Sequence, residues 1–127
     1  MELFLKLRKE GLDRKENVFI LGSGNVVHNL RRVDFSVNGG YDWAEEFDRE
    51  SKESIEKADF ESAINYRDFG KCAEYSVPTP EHFYPLLYVL GTVNKNNKVK
   101  IYNNSWIAAS LSIHHMYFQK VNSVLSY

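Results

Sequence analysis

The sequence contains a single cysteine, Cys72, and no apolar stretch long enough to cross a bilayer. One cysteine excludes an internal disulfide and a cysteine-based zinc site, and we expect Cys72 to be a small buried side chain. The longest apolar stretch, around residues 85–93, is far shorter than the roughly 20 residues that a membrane-spanning helix needs. No signal-peptide pattern opens the chain. We therefore expect a cytoplasmic protein without a membrane partner.

Neither sign of charge is in excess, because 16 lysine and arginine residues face 17 aspartate and glutamate residues. The net charge of -1 produces no global field that would attract nucleic acid or anionic lipid, so we expect neither as a partner. Hydrophobic residues make up 43% of the sequence, which suffices for one core and argues against disorder. At this length we expect a single domain over residues 1–127.

The first part of the chain has the pattern of a helix followed by a buried strand. Leucines and a phenylalanine lie among charged side chains over residues 3–11, which predicts an amphipathic helix ending at a glycine. The apolar run at residues 18–21 is typical of a strand buried on both faces of a parallel sheet. A Gly-Ser-Gly-Asn turn at residues 22–25 then leads to His28. This order indicates an α/β fold with His28 beyond a strand's carboxyl end, where such sheets bind ligands.

The remaining pattern predicts three helices, a polar turn and two closing strands, at residues 42–55, 59–66, 79–91, 94–98, 99–102 and 107–118. Asp42 and Asp59 are predicted N-caps of the first two helices. Acidic residues in the first turns of the first helix, including Asp48, indicate a solvated charged face. Thr79 as N-cap and Pro80 at the first helical position predict the start of the third helix.

His28 and His82 are the candidate functional residues. They are far apart in the sequence, so only tertiary folding could bring them together. A metal binds the neutral imidazole, and the positive end of a helix dipole disfavours the protonated form of His82. Metal binding and acid–base work are both open for either residue, as is a structural role, because Thr-Pro-Glu is also a common helix start.

Two other patterns carry less weight. His114 and His115 are neighbours on a predicted strand and point to opposite faces, so they cannot both bind one ion from one side, and a structural role is favoured. Residues 22–25 lack the full spacing of a dinucleotide-binding or P-loop motif. Ser23 does not lie in a hydrolase nucleophile elbow.

Three segments, in order, resemble one enzyme family. Residues 22–31, Gly-Ser-Gly-Asn-Val-Val-His-Asn-Leu-Arg, are similar to the G-S-G-N-x-x-H-N-L-R segment of the DOPA-type (LigB-like, class III) extradiol ring-cleavage dioxygenases. Residues 43–48 resemble the helix that follows it, and residues 78–88 resemble the P-T-P-E-H block. The resemblance covers most of residues 3–118. It implies an α/β fold with a partial mixed sheet flanked by helices, as in the C-terminal half of that family.

The resemblance also implies a chemistry. Family members open catechol-type rings with O2 at a non-heme divalent metal, with Fe(II) as the first expectation and Zn(II) as the alternative. Carried over by motif, His82 is a metal ligand, and His28 is the catalytic acid–base residue or an additional ligand. Glu81 is a weak third ligand candidate, since a first-turn glutamate already has a structural role.

The sequence also departs from the family. An open iron site usually needs about three protein ligands, and the N-terminal part that supplies further histidines is absent here. We therefore expect a truncated or split dioxygenase that needs a second chain, with an exposed apolar edge that favours self-association. The alternatives are an inactive remnant that serves as a binding or interaction module, and a piece of a complete enzyme. Residues 108–113 depart from the family's Gly-Ser-Leu-Ser-Met segment, which predicts altered local strand geometry.

Overall fold

The computed structural model describes residues 20–119, which form four helices packed against an antiparallel hairpin. The helices are α1 (Asp42–Glu56), α2 (Phe60–Ile64), α3 (Lys71–Ser76) and α4 (Tyr84–Leu90), the strands are β1 (Lys98–Ile107) and β2 (Leu111–Gln119), and short 3-10 helices cover Leu30–Arg32, Tyr66–Phe69 and Pro80–His82. The predicted α/β class is confirmed. Among these residues the two strands pair antiparallel, and the parallel contact is an isolated bridge between Gly40 and Ala109.

Part of the predicted N-terminal pattern lies outside the described residues. This applies to the helix at residues 3–11 and to the first half of the strand at residues 18–21. Ile20 and Leu21 are described, and they are not in a strand; Leu21 is 81% exposed. The prediction of a buried strand is therefore wrong for these two residues. Among residues 20–119 no strand pairs with these two residues, and Gly22, directly after them, packs against the backbone of α4.

The core lies between the helices and the inner face of the hairpin. Helix α1 buries Ala44, Phe47, Ser51 and Ile55, whose spacing places them on one helix face. The ring of Phe47 meets that of Phe83, at 5.7 Å between centroids, and both side chains are fully buried. Burying a phenylalanine contributes roughly 1.5–3 kcal/mol, so this contact is one main tie between α1 and the segment that precedes α4.

The starts of α1 and α2 differ in how they are capped. Tyr41 is the N-cap of α1, and Asp42 is the first helical residue, so the predicted Asp42 cap is wrong by one position. Asp42 still lies at the positive end of the helix dipole. The predicted Asp59 cap of α2 is confirmed, because its side chain accepts a hydrogen bond from the backbone N–H of Ser62.

The third predicted helix is broken into the 3-10 turn Pro80–His82 and α4. Pro85 has no N–H to donate to the preceding turn, and the chain changes helix type just before it. Leu86 donates to the carbonyl of Phe83 rather than to that of His82. Thr79 makes no side-chain cap and instead donates its hydroxyl to Glu81 at 2.6 Å. The break leaves the His82 carbonyl available to a partner outside the helix.

The hairpin forms a longer ladder than the sequence predicts. The first strand extends to Ile107, and residues 108–110 form the loop, so the predicted second strand at 107–118 starts too early. Ala108 and Ala109 both have positive φ, at 50° and 63°, a conformation that favours glycine. The loop therefore makes a tight turn with alanine at both left-handed positions, in the segment where the sequence departs from the family. Within residues 20–119, no helix has the length and apolar character that crossing a membrane requires.

Helix α1 ends in a glycine-type cap that is occupied by alanine. Ala58 has φ 57°, its N–H donates to the carbonyl of Ile55, and the N–H of Asp59 donates to that of Ser54. These are the two bonds of a Schellman motif, in which glycine is preferred at the left-handed residue.

We expect Ala58→Gly to raise the free energy of unfolding by about 0.5–1 kcal/mol, the left-handed penalty less the added chain entropy of glycine. Urea unfolding monitored by circular dichroism measures the change. The control is Ala63→Gly in α2, where the helix interior should lose about 1 kcal/mol. A loss of stability in Ala58→Gly would contradict the cap assignment.

Candidate functional site

His28 lies on an irregular segment that is fastened on two sides. Its backbone N–H donates to the carbonyl of Ser76 at the end of α3, at 2.9 Å, and it forms an isolated antiparallel bridge with Leu111 at the start of β2. The neighbouring Val27 and Asn29 are buried. Because the backbone is held on both sides of His28, the position of its Cα atom and the direction of its Cα–Cβ bond are fixed.

His82 is the last residue of the 3-10 turn, and the segment at residues 22–25 lies directly against it. The N–H of Asn25 donates to the His82 carbonyl at 2.9 Å. A Cβ on Gly24 would lie 2.2 Å from the same carbonyl oxygen, so only glycine permits this approach. The Gly-Ser-Gly-Asn segment is therefore the structural link between the two histidines.

The structure brings the two candidate histidines together. The ring centroids of His28 and His82 are 3.6 Å apart, and the ring planes are inclined by 19°, which is a stacked arrangement. Both residues are half-buried. Within residues 20–119 neither ring makes a hydrogen bond to another residue, so ring nitrogens remain for a metal or a substrate proton.

The stacked arrangement distinguishes the two roles that the sequence leaves open for His28. A metal binds an imidazole along the nitrogen lone pair, which lies in the ring plane. The nearly parallel planes of two rings 3.6 Å apart do not converge close to the ring nitrogens, so one ion cannot be bound well by both. Simultaneous ligation would require one ring to rotate. The observed geometry suits one ligand with a neighbouring acid–base residue.

The surroundings of His28 favour its neutral form. Burial, followed by the neighbouring His82, lowers the pKa of His28 below its ordinary value, while its backbone hydrogen bond and Glu81 oppose the shift. Because folding lowers this pKa, the unfolded chain binds the proton more tightly. The contribution of His28 to stability is thus fully present above the unfolded value of about 6.5 and is lost as the pH falls below it.

We expect His82→Gln to raise the pKa of His28 towards its ordinary value, because both the charge repulsion and part of the burial disappear. Titration of the His28 ring protons by NMR measures the shift. His115→Gln is the matched control, because His115 is exposed, and should leave the titration unchanged. An unaltered His28 pKa in His82→Gln would show that the rings do not interact in solution.

The ligand set is incomplete within the described part of the chain. Residues 20–119 contain no group of three histidine, cysteine, aspartate or glutamate side chains that could hold a metal ion. Glu81 is exposed and accepts the Thr79 hydroxyl, a contact that lowers the pKa of Glu81. This hydrogen bond gives Glu81 a sufficient structural role, so Glu81 remains a weak ligand candidate. Cys72 is buried, as predicted, and its thiol bonds to the carbonyl of Phe69.

A cavity of about 530 Å³ adjoins one side of the site, between α4 and β2. Its size is within the range of small-molecule pockets. Its wall includes His82 together with apolar side chains, among them Leu86, Val89, Val93 and Met116. His28 is not part of this wall, so a molecule in the cavity would meet His82 first.

A buried ionic cluster near the hairpin escaped the sequence interpretation. Asp48 lies between Lys52, whose ammonium is 2.7 Å away, and the Nε2 atom of His114. The side chains of Asp48 and His114 are 4% and 2% exposed, so the prediction of a solvated Asp48 is wrong. The sequence spacing could have predicted the burial of Asp48, because Asp48 follows Ala44 by four residues and lies on the buried face of α1. His115 is exposed, on the opposite strand face from His114 as predicted.

Comparison with known proteins gives one consistent relationship. No protein-family model matches the sequence. The chain is similar to 4,5-DOPA dioxygenase extradiol proteins from Mirabilis jalapa, at 34% identity over 74% of this chain and 35% of the relative, and from Escherichia coli, at 37% identity over 74% and 36%. A relative of the same name from Beta vulgaris is 29% identical over 78% of this chain.

A solved structure supports the same relationship. The crystal structure of an uncharacterized protein from Escherichia coli K12 matches with a TM-score of 0.78 and 34% identity, over 91% of this chain and 48% of that chain. The chain thus spans about one third of the curated relatives and about half of the structural neighbour. The matching sequences, the shared fold and the paired histidines lead to one conclusion: the chain is a partial relative of the LigB-like extradiol dioxygenases.

Proposed function

We propose that this chain supplies the His28–His82 half of an extradiol dioxygenase site, which a further polypeptide segment completes. The stacking of the two imidazoles at 3.6 Å is the observation that carries the proposal. Two residues remote in sequence meet with rings that make no hydrogen bond to another residue in the described part of the chain. Relatives named extradiol dioxygenases imply an aromatic substrate of the catechol type and O2.

Each histidine has a distinct role in this proposal. His82 binds the divalent metal, Fe(II) in preference to Zn(II), through a ring nitrogen held by the Pro80–His82 turn. When bound, the metal holds the catechol oxygens and O2 next to each other. His28, whose neutral form is favoured by burial and by its neighbour, accepts a proton from a substrate hydroxyl and returns it during ring opening. In the alternative, His28 rotates out of the stack and serves as an additional ligand.

Two imidazoles do not complete an open iron site, which commonly takes about three protein ligands. The chain covers about a third of its curated relatives, and the remainder is the natural source of the missing ligands. We therefore infer a second polypeptide, or a further segment, that packs beside β2 and α4. Without it, the exposed Leu21 and the apolar cavity wall favour self-association. Sedimentation velocity with and without the complementing segment tests this point.

The test of function is complementation. The chain is co-expressed with the N-terminal part of the Escherichia coli relative, loaded anaerobically with Fe(II), and mixed with catechols while oxygen uptake is followed. We expect uptake only in the complemented sample. His82→Gln should lose bound iron, whereas His28→Gln should keep iron and lose ring opening by about 10²–10⁴-fold if it is the acid–base residue.

His115→Gln is the control for replacement of an exposed histidine and should keep both iron and activity. Loss of iron in His28→Gln would assign His28 as a ligand. A complemented sample that binds iron but consumes no oxygen with any catechol would overturn the enzymatic proposal. That result would favour the inactive remnant with a binding role.

A further inference from the structure

The two histidines have no direct hydrogen bond between them, so something else must set their separation. The His28 ring stacks on His82 and makes no hydrogen bond to another residue in the described part of the chain. A ring without a hydrogen-bond partner is placed by its own backbone. The question is therefore which groups join the backbone around His28 to the backbone of His82.

Asn25 makes hydrogen bonds both to the backbone of His82 and to Ser112, which holds the residue before His28. Its N–H donates to the His82 carbonyl at 2.9 Å, and its side-chain Nδ2 donates to the carbonyl of Ser112 at 2.8 Å. Ser112 in turn holds the residue before His28, because its Oγ accepts the N–H of Val27 at 2.9 Å and its own N–H donates to the Val27 carbonyl. The contacts form an unbroken path from His82 through Asn25 and Ser112 to Val27.

Burial makes this path stiff. Ser112 and Val27 are fully buried, and a buried N–H without its acceptor is strongly unfavourable. On the other flank, the Oγ of Ser110 donates to the Asn29 carbonyl, and the Asn29 side chain donates to the carbonyl of Tyr75. These bonds, together with the bond from the His28 N–H to the Ser76 carbonyl, hold the segment to α3 and to the hairpin loop. The direct hydrogen-bonded link to the His82 backbone runs through Asn25 and Ser112.

We infer that Asn25 and Ser112 are positioning residues whose side chains set the spacing of the His28 and His82 imidazoles. The metal-binding part of this inference rests on the proposed function, and the geometric part does not. Outer groups that orient metal-binding histidines typically change metal affinity by about 10–100-fold when they are replaced. Neither side chain needs to touch substrate or metal to have this effect.

The sharpest variant is Asn25→Asp, which keeps the shape of the side chain but turns a carboxylate oxygen towards the Ser112 carbonyl. Asn25→Ala removes the same bond without adding charge, and Ser112→Ala removes the acceptor of the Val27 N–H. Two controls match these changes. Ser51→Ala replaces a fully buried serine whose hydroxyl has no partner in the described part of the chain, and Asn103→Asp adds the same charge at an exposed position.

The first readout is the nuclear Overhauser effect between the ring protons of His28 and His82, which is independent of metal. The sequence has four histidines, so assignment by single replacement is direct. We expect a strong effect in the wild type and in both controls, and a several-fold weaker effect in Asn25→Asp and Ser112→Ala. Amide correlation spectra verify that each variant is folded.

The second readout is Zn2+ affinity by calorimetry, where we expect the dissociation constant to rise about tenfold in the same variants. Folded variants that keep the wild-type ring contact would overturn the inference, as would the absence of that contact in the wild type. Unfolding of all three variants would also overturn it, because the contacts would then serve the fold as a whole. If the ring contact responds as expected but the wild type binds no Zn2+, the proposed function fails and the positioning role stands.

Discussion

Replacing Gly24 by alanine is expected to separate the two histidines and to lower the free energy of unfolding by about 3 kcal/mol. The new Cβ would lie 2.2 Å from the His82 carbonyl oxygen, which is a backbone atom and cannot swing aside. Either the 22–25 segment or the Pro80–His82 turn must move, and the Asn25–His82 hydrogen bond is lost with it. Chemical unfolding measures the stability, and calorimetry with Zn2+ measures the site.

Gly70→Ala is the control for this prediction. Unlike Gly24, Gly70 has a positive φ, of 80°, and open space surrounds the position of a Cβ there. We expect a backbone-strain cost of about 1–2 kcal/mol with unchanged Zn2+ binding. If Gly24→Ala resembled Gly70→Ala in both measurements, the close approach of Gly24 to His82 would not exist in solution.

The second large effect is expected at Asp48. Its carboxylate is nearly fully buried between Lys52 and His114, and Asp48→Ala would leave both without their shared partner. Removing one member of a buried ionic group typically costs about 3–5 kcal/mol. Lys52 keeps a hydrogen bond to Asn104, so we expect a value near the lower end. Urea unfolding with two independent probes measures it.

Helix α1 offers a matched comparison for Asp48→Ala. Glu53 and Lys57 have the same four-residue spacing as Asp48 and Lys52, with 3.2 Å between the charged atoms, but both are exposed. We expect Glu53→Ala to change stability by less than about 0.5 kcal/mol. Equal effects of the two replacements would mean that Asp48 is solvated after all.

Features that depend only on neighbouring residues could be predicted from the sequence. The Asp59 cap and the alternation of His114 and His115 follow from local geometry and were correct. The helical pattern over residues 79–91 predicts one continuous helix, yet the missing N–H of Pro85 divides the Pro80–His82 turn from α4. Here a single missing donor decided the local structure.

Residues whose surroundings come from distant parts of the chain were harder to predict. The acidic composition of α1 suggested solvent for Asp48, whereas its partner His114 lies on β2. The site itself was predicted through motif resemblance, and the stacking of His28 on His82 depends on backbone bonds from Asn25, which no local periodicity encodes. The motifs thus indicated which two histidines to consider, and tertiary contacts determine how those two side chains are arranged.

Residues 25–29 have little regular secondary structure. Hydrogen bonds nevertheless hold them to α3, to β2 and to the Pro80–His82 turn. Opening this segment requires all three neighbours to part together, so its local unfolding free energy should approach that of the whole domain. We therefore expect the amide hydrogens of residues 25–29 to exchange about as slowly as those of the paired strands β1 and β2, although their backbone is irregular.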